Sequence, residues 1–349
     1  MRPKTDCTRK RPSCAGAWGS DAVAGPRIAV AGAGSIGCYV GGILADAGYD
    51  VLFLARAPIA KACVERGLRL TDFDGNDVHV PAPHMETEAA PAFADADVIL
   101  VCVKSGDTAA MAREISAHAP AAQVISLQNG VENSGVLRAA LPGADVRAAM
   151  VPFNVVPDGP TRYHRATSGD ILVEAGPLPA FSTPLLTWHE VDNIEAVQWG
   201  KLLINLGNAI NALSNLPLLT QLQDRAWRRL MADQMAEALR ILAVARIVPA
   251  KTTAVSPRLI PHILRLPTPI FRKIAAQMLT IDAQARSSMW DDLNQGRRTE
   301  IDALQGAIIA LADRHGRRAP LNARMKALIR EAEAAGKGPP GLTPEQIRG

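Results

Sequence analysis

A glycine-rich turn near the start of the chain constrains the fold most strongly. The segment RIAVAGAGSIG begins at Arg27 and places G-x-G-x-x-G at Gly32, Gly34 and Gly37. A short apolar run precedes this turn, and SIGCYVGGILADAGYD follows with helical spacing and a stop at Gly48. A buried strand, a glycine turn and a helix N-terminus together favour a dinucleotide pyrophosphate site. The alternative is a tight turn that only permits close helix packing.

Further strands extend this beginning into a sheet. VLFLAR, ADVILVCVKS and QVISLQNG are short apolar runs, and the helical pattern TAAMAREISAHA separates the last two. LRLTDFDGNDVHVPAP predicts a hairpin around Asp74 and Gly75, and AAMVPFNVV and DILVEAG continue the strand signals to about residue 192. Continuous apolar strands that alternate with helices predict an α/β, Rossmann-type doubly wound sheet.

Beyond residue 192 the pattern predicts an all-helical C-terminal domain. Long amphipathic stretches predict helices over 195–214, 225–247, 269–283, 289–315 and 324–335. The chain therefore divides into four segments: a disordered basic leader (1–26), a nucleotide-binding Rossmann domain (27–192), a helical substrate and catalytic domain (193–337) and a flexible tail (338–349).

Composition narrows the class of protein. The chain has 349 residues, is 48% apolar and carries a formal charge of only +4, so neither nucleic acid nor a membrane is an expected partner. Its five cysteines form no C-x-x-C pair, which favours reduced thiols in a cytoplasm and no metal. The leader fits a transit peptide, an upstream start codon or a loose tail. A monomer and a homodimer both remain open.

One helix carries an unusual polar stripe. In WGKLLINLGNAINALS, the side chains of Lys201, Asn205 and Asn208 fall within roughly 60° of one another at about 100° per residue. Burying an amide without a partner costs roughly 2–7 kcal/mol, so these groups need partners. Either the lysine extends to solvent beside asparagines that bond to backbone, or the stripe lines a ligand cleft.

The end of the second strand indicates which dinucleotide would bind. NAD enzymes place an acid there for the ribose hydroxyls, but VLFLAR ends in Ala55 and Arg56. Arginine can pair with the additional 2′-phosphate of NADPH, so NADPH is favoured over NADH. The alternative is an ordinary surface arginine.

Five motifs in order resemble the ketopantoate reductase (2-dehydropantoate 2-reductase) family: GAGSIG, the strand-end VK, QNG, WGKLLIN and SSMWDDLNQGRRTEID. The resemblance runs from about Arg27 to Gly336. It implies NADPH-dependent reduction of 2-dehydropantoate to (R)-pantoate on the route to coenzyme A.

The resemblance also implies roles for individual residues. Lys201 matches the catalytic lysine of the family and Glu300 its acid, whereas Asn205 and Ser288 match substrate-binding residues. In the nucleotide half, the implied cofactor-binding residues are Gly32, Gly34, Ser35, Ile36, Gly37, Arg56, Lys104 and Asn129, of which Asn129 also adjoins the substrate. Lys104 and Asn129 could instead be a solvent-facing strand end and a turn former. A lysine that is partly desolvated on an apolar helix has a lowered pKa, which suits a proton donor to a carbonyl oxygen.

One departure concerns the substrate. The best-studied form of the family has a second asparagine four residues after the first, but Ala209 occupies that place here and Asn208 stands one residue earlier. We expect Asn208 to bind substrate, but this departure leaves the identity of the substrate's acyl chain open. A related NADP-dependent reductase of another 2-oxo acid and a non-catalytic NADPH-binding sensor are the alternatives.

Overall fold

The structure is a computed structural model that describes residues 25–177, 181–276 and 282–349. The predicted leader lies outside the described residues except for Gly25 and Pro26. No helix in the described part of the chain is long and apolar enough to cross a membrane.

Twelve strands lie in the first half of the described chain. They are β1 (Ile28–Ala31), β2 (Val51–Leu54), β3 (Leu68–Asp72), β4 (Asp77–Val80), β5 (His84–Glu86), β6 (Val98–Val101), β7 (Gln123–Ser126), β8 (Val146–Met150), β9 (Val155–Pro157), β10 (Arg162–Arg165), β11 (Ile171–Glu174) and β12 (Trp188–Val191). Five helices accompany them: α1 (Ser35–Asp46), α2 (Ala57–Arg66), α3 (Ala89–Phe93), α4 (Thr108–His118) and α5 (Asn133–Ala140).

The main sheet has the order β12-β11-β8-β7-β6-β1-β2-β5. Every neighbouring pair is parallel except β11 with β8, so the Rossmann-type prediction is confirmed. Because β1, β2, β6 and β7 are parallel, their carboxyl ends share one edge, where ligands of such sheets bind. The turns that follow these strands supply most of the candidate site.

A second sheet, β4-β3-β10-β9, contains the predicted hairpin. Gly75 adopts φ +86° in its turn. The separate sheet itself was not predicted, because β3 also pairs in parallel with β10, which is about ninety residues away in the chain.

The second half is helical, as predicted. Its helices are α6 (Ile194–Asn205), α7 (Gly207–Ser214), α8 (Leu218–Gln223), α9 (Arg225–Val244), α10 (Ile260–Arg265), α11 (Thr268–Ile274), α12 (Ser288–Asn294), α13 (Ala307–Arg314), α14 (Pro320–Ala335) and α15 (Pro344–Arg348). A single apolar core joins these helices, and it includes Leu202, Leu203, Ile301 and Leu304.

The structure differs from the sequence prediction at three places in the helical half. The 195–214 helix is interrupted at Leu206, between α6 and α7. The 289–315 helix is interrupted, because Gly296 adopts φ +63° after α12 and ends it, and helical structure resumes in a π-helical turn (Asp302–Gly306) that leads into α13. The tail contains α15, which Thr343 and Gln346 start with a capping box and which buries Ile347 completely.

A buried carboxylate fixes α14 against α9. Glu237 is only 5% exposed, and its carboxylate accepts hydrogen bonds from the backbone N–H groups of Leu321 (3.1 Å) and Asn322 (2.9 Å). The Asn322 side-chain amide donates a third, at 2.9 Å. The N-cap residue Ala319 has no acceptor of its own, so Glu237 satisfies N–H groups that the first turn of α14 leaves free.

Candidate active site

The glycine turn begins where β1 ends. Gly32 has φ +112°, and a Cβ there would stand 2.8 Å from Val103 Cγ1. A Cβ at Gly37 would collide with the carbonyl oxygen of Gly32. At Gly34 no other atom lies within 4 Å of a Cβ position. The first and third glycines therefore allow close packing, whereas the second leaves open space.

That open space lies at the N-terminus of α1. Gly34 is the N-cap, and the helix has neither a side-chain cap nor an acidic residue in its first turn. Its first backbone N–H groups, including those of Ser35 and Ile36, are thus available to an anion. These features fit the pyrophosphate of a dinucleotide.

Arg56 lies just after β2 and is the exposed N-cap of α2. The first turn of α2 also lacks an acidic residue and a side-chain cap. The guanidinium forms no ion pair with the described residues. Pro58 has no N–H, and the N–H groups of Ile59 and Ala60 donate to the Arg56 carbonyl, so the first turn itself offers little to an anion. The unpaired guanidinium is what suits a phosphate at this corner.

Lys201 projects from α6 toward the carboxyl end of β8. Its ammonium donates a hydrogen bond to the carbonyl oxygen of Val151. Burial lowers the pKa of Lys201 to about 8, and the nearby negative charge of Glu300 opposes this shift. The lysine and the acid therefore belong to one electrostatic site, although 99 residues separate them.

Asn205 and Asn208 continue the stripe beyond Lys201. Both are partly buried, and neither side chain hydrogen-bonds within the described part of the chain. Asn211, in contrast, is fully buried and structural: its amide donates to the Leu216 carbonyl and accepts from the Ser287 N–H. The cleft interpretation of the stripe thus suits its first two asparagines, whose amides are free to bind a ligand.

Ser288 is the first residue of α12 and is exposed. Its buried neighbour Ser287 caps α12 by accepting from the Trp290 N–H at 3.2 Å. The Ser287 hydroxyl also donates to the Asn208 carbonyl at 3.2 Å. The structure therefore brings Ser288 close to Asn208, with its hydroxyl free of partners among the described residues.

Glu300 receives three hydrogen bonds from the nucleotide half. Its Oε1 accepts from the backbone N–H of Ser105 at 3.2 Å and from the Ser105 hydroxyl at 3.0 Å. Its Oε2 accepts from the Asn129 side chain at 3.1 Å. A π-helical turn, Asp302–Gly306, follows the acid, and such turns are frequent at functional sites.

Lys104 crosses to the helical half. Its ammonium lies 2.6 Å from Asp292 Oδ1 and donates to the Arg298 carbonyl at 3.1 Å. The side chain is 43% exposed, whereas that of Asp292 is only 7% exposed. The strand-end lysine therefore has a partner on the other half of the molecule.

Sequence reasoning missed a network of polar side chains behind Glu300. It comprises Ser105, Thr108, Ser126, Gln128 and Asn133. Sequence reasoning also missed Asp292, the partner of Lys104 on the helical side. The only available signal was polarity inside apolar surroundings, as for Ser126 and Gln128 in QVISLQNG.

Comparison with known proteins identifies the family. The family model "Ketopantoate reductase PanE/ApbA" matches residues 28–177, and its C-terminal counterpart matches 193–333. A PanE/ApbA family ketopantoate reductase structure from Ralstonia eutropha JMP134 is 30% identical, with a TM-score of 0.77, over 89% of this chain and 99% of that one. The chain belongs to the ketopantoate reductase family.

Two other comparisons concern a curated relative and a solved structure. The 2-dehydropantoate 2-reductase of Halobacterium salinarum is 29% identical over 89% of this chain and all of the relative. A structure of D-mandelate dehydrogenase with NADH and anilino(oxo)acetate is 20% identical, with a TM-score of 0.71. The match covers 89% of this chain and 99% of that one, and it shows a shared fold alone. The protein is thus an oxidoreductase of CH–OH groups that uses a nicotinamide cofactor.

Proposed function

We propose that the protein reduces 2-dehydropantoate to (R)-pantoate with NADPH. The observation that carries the proposal is the juxtaposition of Lys201, with its lowered pKa, and Glu300, at the sheet edge that bears the glycine turn. The name of the Halobacterium salinarum relative supports this substrate.

Bound NADPH would supply the hydride. Negative charge develops on the substrate carbonyl oxygen as the hydride arrives, and Lys201 donates the proton that neutralises it. A pKa of about 8 makes its ammonium a better acid at neutral pH than an ordinary lysine, because the proton leaves more readily. The Oε2 atom of Glu300 has only one protein donor, the Asn129 amide. This oxygen can therefore accept a further hydrogen bond from a substrate hydroxyl or from the Lys201 ammonium.

The free polar groups of the cleft orient the substrate. Asn205 and Asn208 would bind its oxygens, and the Ser288 hydroxyl would bind its carboxylate. On the cofactor side, the amides at Gly34, Ser35 and Ile36 would hold the pyrophosphate, with Lys104 and Asn129 beside the nicotinamide. Since Lys104 is paired with Asp292, a ligand must compete with that ion pair.

Absorbance at the reduced-nicotinamide band tests the reaction. We expect NADPH oxidation with 2-dehydropantoate at a kcat/KM at least tenfold above that with pyruvate, 2-oxoisovalerate or phenylglyoxylate. A higher value for another 2-oxo acid would assign that substrate instead, and Ala209 in place of an asparagine would then account for the difference. Binding of NADPH without turnover of any acid would indicate a sensor.

Replacing Arg56 by serine tests the cofactor preference. Charge-assisted hydrogen bonds contribute about 1.5–3 kcal/mol, so the Kd for NADPH should rise about 10- to 100-fold. The Kd for NADH should change less than twofold, since NADH lacks the 2′-phosphate. Nucleotide fluorescence titration measures both. Arg66→Ser, at the exposed far end of α2, is the matched control, and equal losses for both nucleotides in Arg56→Ser would contradict the assignment.

A further inference from the structure

Ser105 makes the densest set of contacts with Glu300. Its backbone N–H and its hydroxyl both lie within hydrogen-bond distance of Oε1, at 3.2 and 3.0 Å. Ser105 follows Lys104 directly, in a 3-10 turn (Ser105–Asp107) that leads into α4. The serine therefore belongs to the nucleotide half, whereas the acid belongs to the helical half.

The hydrogen-bond network fixes the direction of the serine proton. The Asn133 amide donates to the Ser105 oxygen at 3.0 Å and to the Asn129 carbonyl at 2.6 Å. Because the Ser105 oxygen accepts from Asn133, its single proton is free for another acceptor. The Asn129 carbonyl oxygen lies 3.2 Å from the Ser105 hydroxyl but already accepts a hydrogen bond from the Asn133 amide. The hydroxyl proton is therefore directed to the Glu300 carboxylate, a stronger acceptor.

Asn133 is itself held in place. It is 7% exposed, and its side-chain oxygen accepts from the Thr108 hydroxyl at 2.9 Å. Gln128 in turn donates to Thr108 at 2.7 Å and to the Val103 carbonyl at 2.9 Å. The Thr108 hydroxyl also lies 3.0 Å from the Ser105 carbonyl, so both contacts of Thr108 hold the Ser105 turn and Asn133 together.

We propose that Ser105, oriented by Asn133, is a positioning residue that selects which carboxylate oxygen of Glu300 faces the cleft. Two donors from Ser105 occupy Oε1, whereas Oε2 has only Asn129 and keeps acceptor capacity for a ligand. Ser105 touches no reacting atom and acts through Glu300. The kinetic consequences rest on the proposed function, because they require the acid to work in turnover.

Ser105→Ala removes the hydroxyl and keeps the backbone donor. We expect kcat for the best 2-oxo acid to fall about 10- to 100-fold, because small displacements of a working group carry penalties of this size. The KM for NADPH should stay within twofold. Ser105→Thr, which restores the hydroxyl, should recover most of kcat. Ser134→Ala, which deletes another buried hydroxyl from α5, is the matched control and should change kcat less than twofold.

A double-mutant cycle separates positioning from a general structural role. If Ser105 acts through Glu300, adding Ser105→Ala to Glu300→Gln should lower kcat less than twofold further. A multiplicative loss in the double variant, or full kcat in Ser105→Ala, overturns the proposal.

A crystal structure of Ser105→Ala gives an outcome that needs no turnover. The Glu300 carboxylate should rotate away from its present contact with Ser105, and an unchanged carboxylate overturns the proposal. If none of the tested 2-oxo acids supports NADPH oxidation by the wild-type protein, the proposed function fails. The position of the Glu300 carboxylate in the Ser105→Ala structure still decides the role of Ser105.

Discussion

Lys201→Ala should lower kcat about 10³-fold while the Kd for NADPH stays within threefold. General acid catalysis contributes about 10²- to 10⁴-fold, and the alanine side chain has no proton to donate to the carbonyl oxygen. Single-turnover oxidation of NADPH measures the loss, and nucleotide fluorescence measures binding. Lys251→Ala, at an exposed lysine of the same domain, is the matched control. Unchanged turnover in Lys201→Ala would refute the mechanism.

The pH profile gives a second readout of the same lysine. Because the pKa of Lys201 is about 8, the ammonium is present below that pH, and kcat should fall tenfold per pH unit above it. Any residual activity of Lys201→Ala should not show this decline in kcat above pH 8. The unfolded chain, with a lysine pKa near 10.5, binds more protons between the two values. The contribution of Lys201 to the free energy of unfolding should therefore increase as pH rises from about 8 to 10.5.

Glu237→Ala should lower the free energy of unfolding by about 3–5 kcal/mol. Alanine leaves three donors at the start of α14 without their acceptor, and each unsatisfied buried group costs about 1–3 kcal/mol. The lost negative charge at a helix N-terminus adds to the effect.

Urea unfolding followed by circular dichroism measures this change. Glu331→Ala, at an exposed acid on α14 itself, is the control and should stay within about 0.5 kcal/mol of the parent. If both variants lose equal stability, the buried carboxylate is not what holds α14 in place.

The sequence was most informative where one pattern determined one element. The run IAVA before a glycine turn predicted β1, the turn and α1, because each depends on neighbouring residues alone. The motifs around Lys201 and Glu300 led, through the family resemblance, to a pair that the structure brings into one electrostatic site. Both predictions used local patterns or a resemblance along the chain.

The remaining features depend on distant partners. The contact of Ser105 is with an acid 195 residues further along, and no spacing rule connects the two residues. The break at Leu206 is likewise accompanied by a remote contact, since the Gln305 side chain donates to the Leu206 carbonyl. The helix α15 was missed for a different reason: Thr343 and Gln346 form a capping-box pattern, but the surrounding glycines and prolines favoured a tail.

The wide turn after Glu300 has a mechanical consequence. It carries Gln305, whose side-chain amide donates a hydrogen bond to the Leu206 carbonyl at the end of the helix that bears Lys201. Ile301 and Leu304, on either side of the start of this turn, share an apolar core with Leu202 and Leu203. Lys201 and Glu300 are thus held by one continuous core. If the two halves of the molecule separate during ligand exchange, the spacing between these two side chains should be preserved, and only their hydrogen bonds to the nucleotide half should be lost.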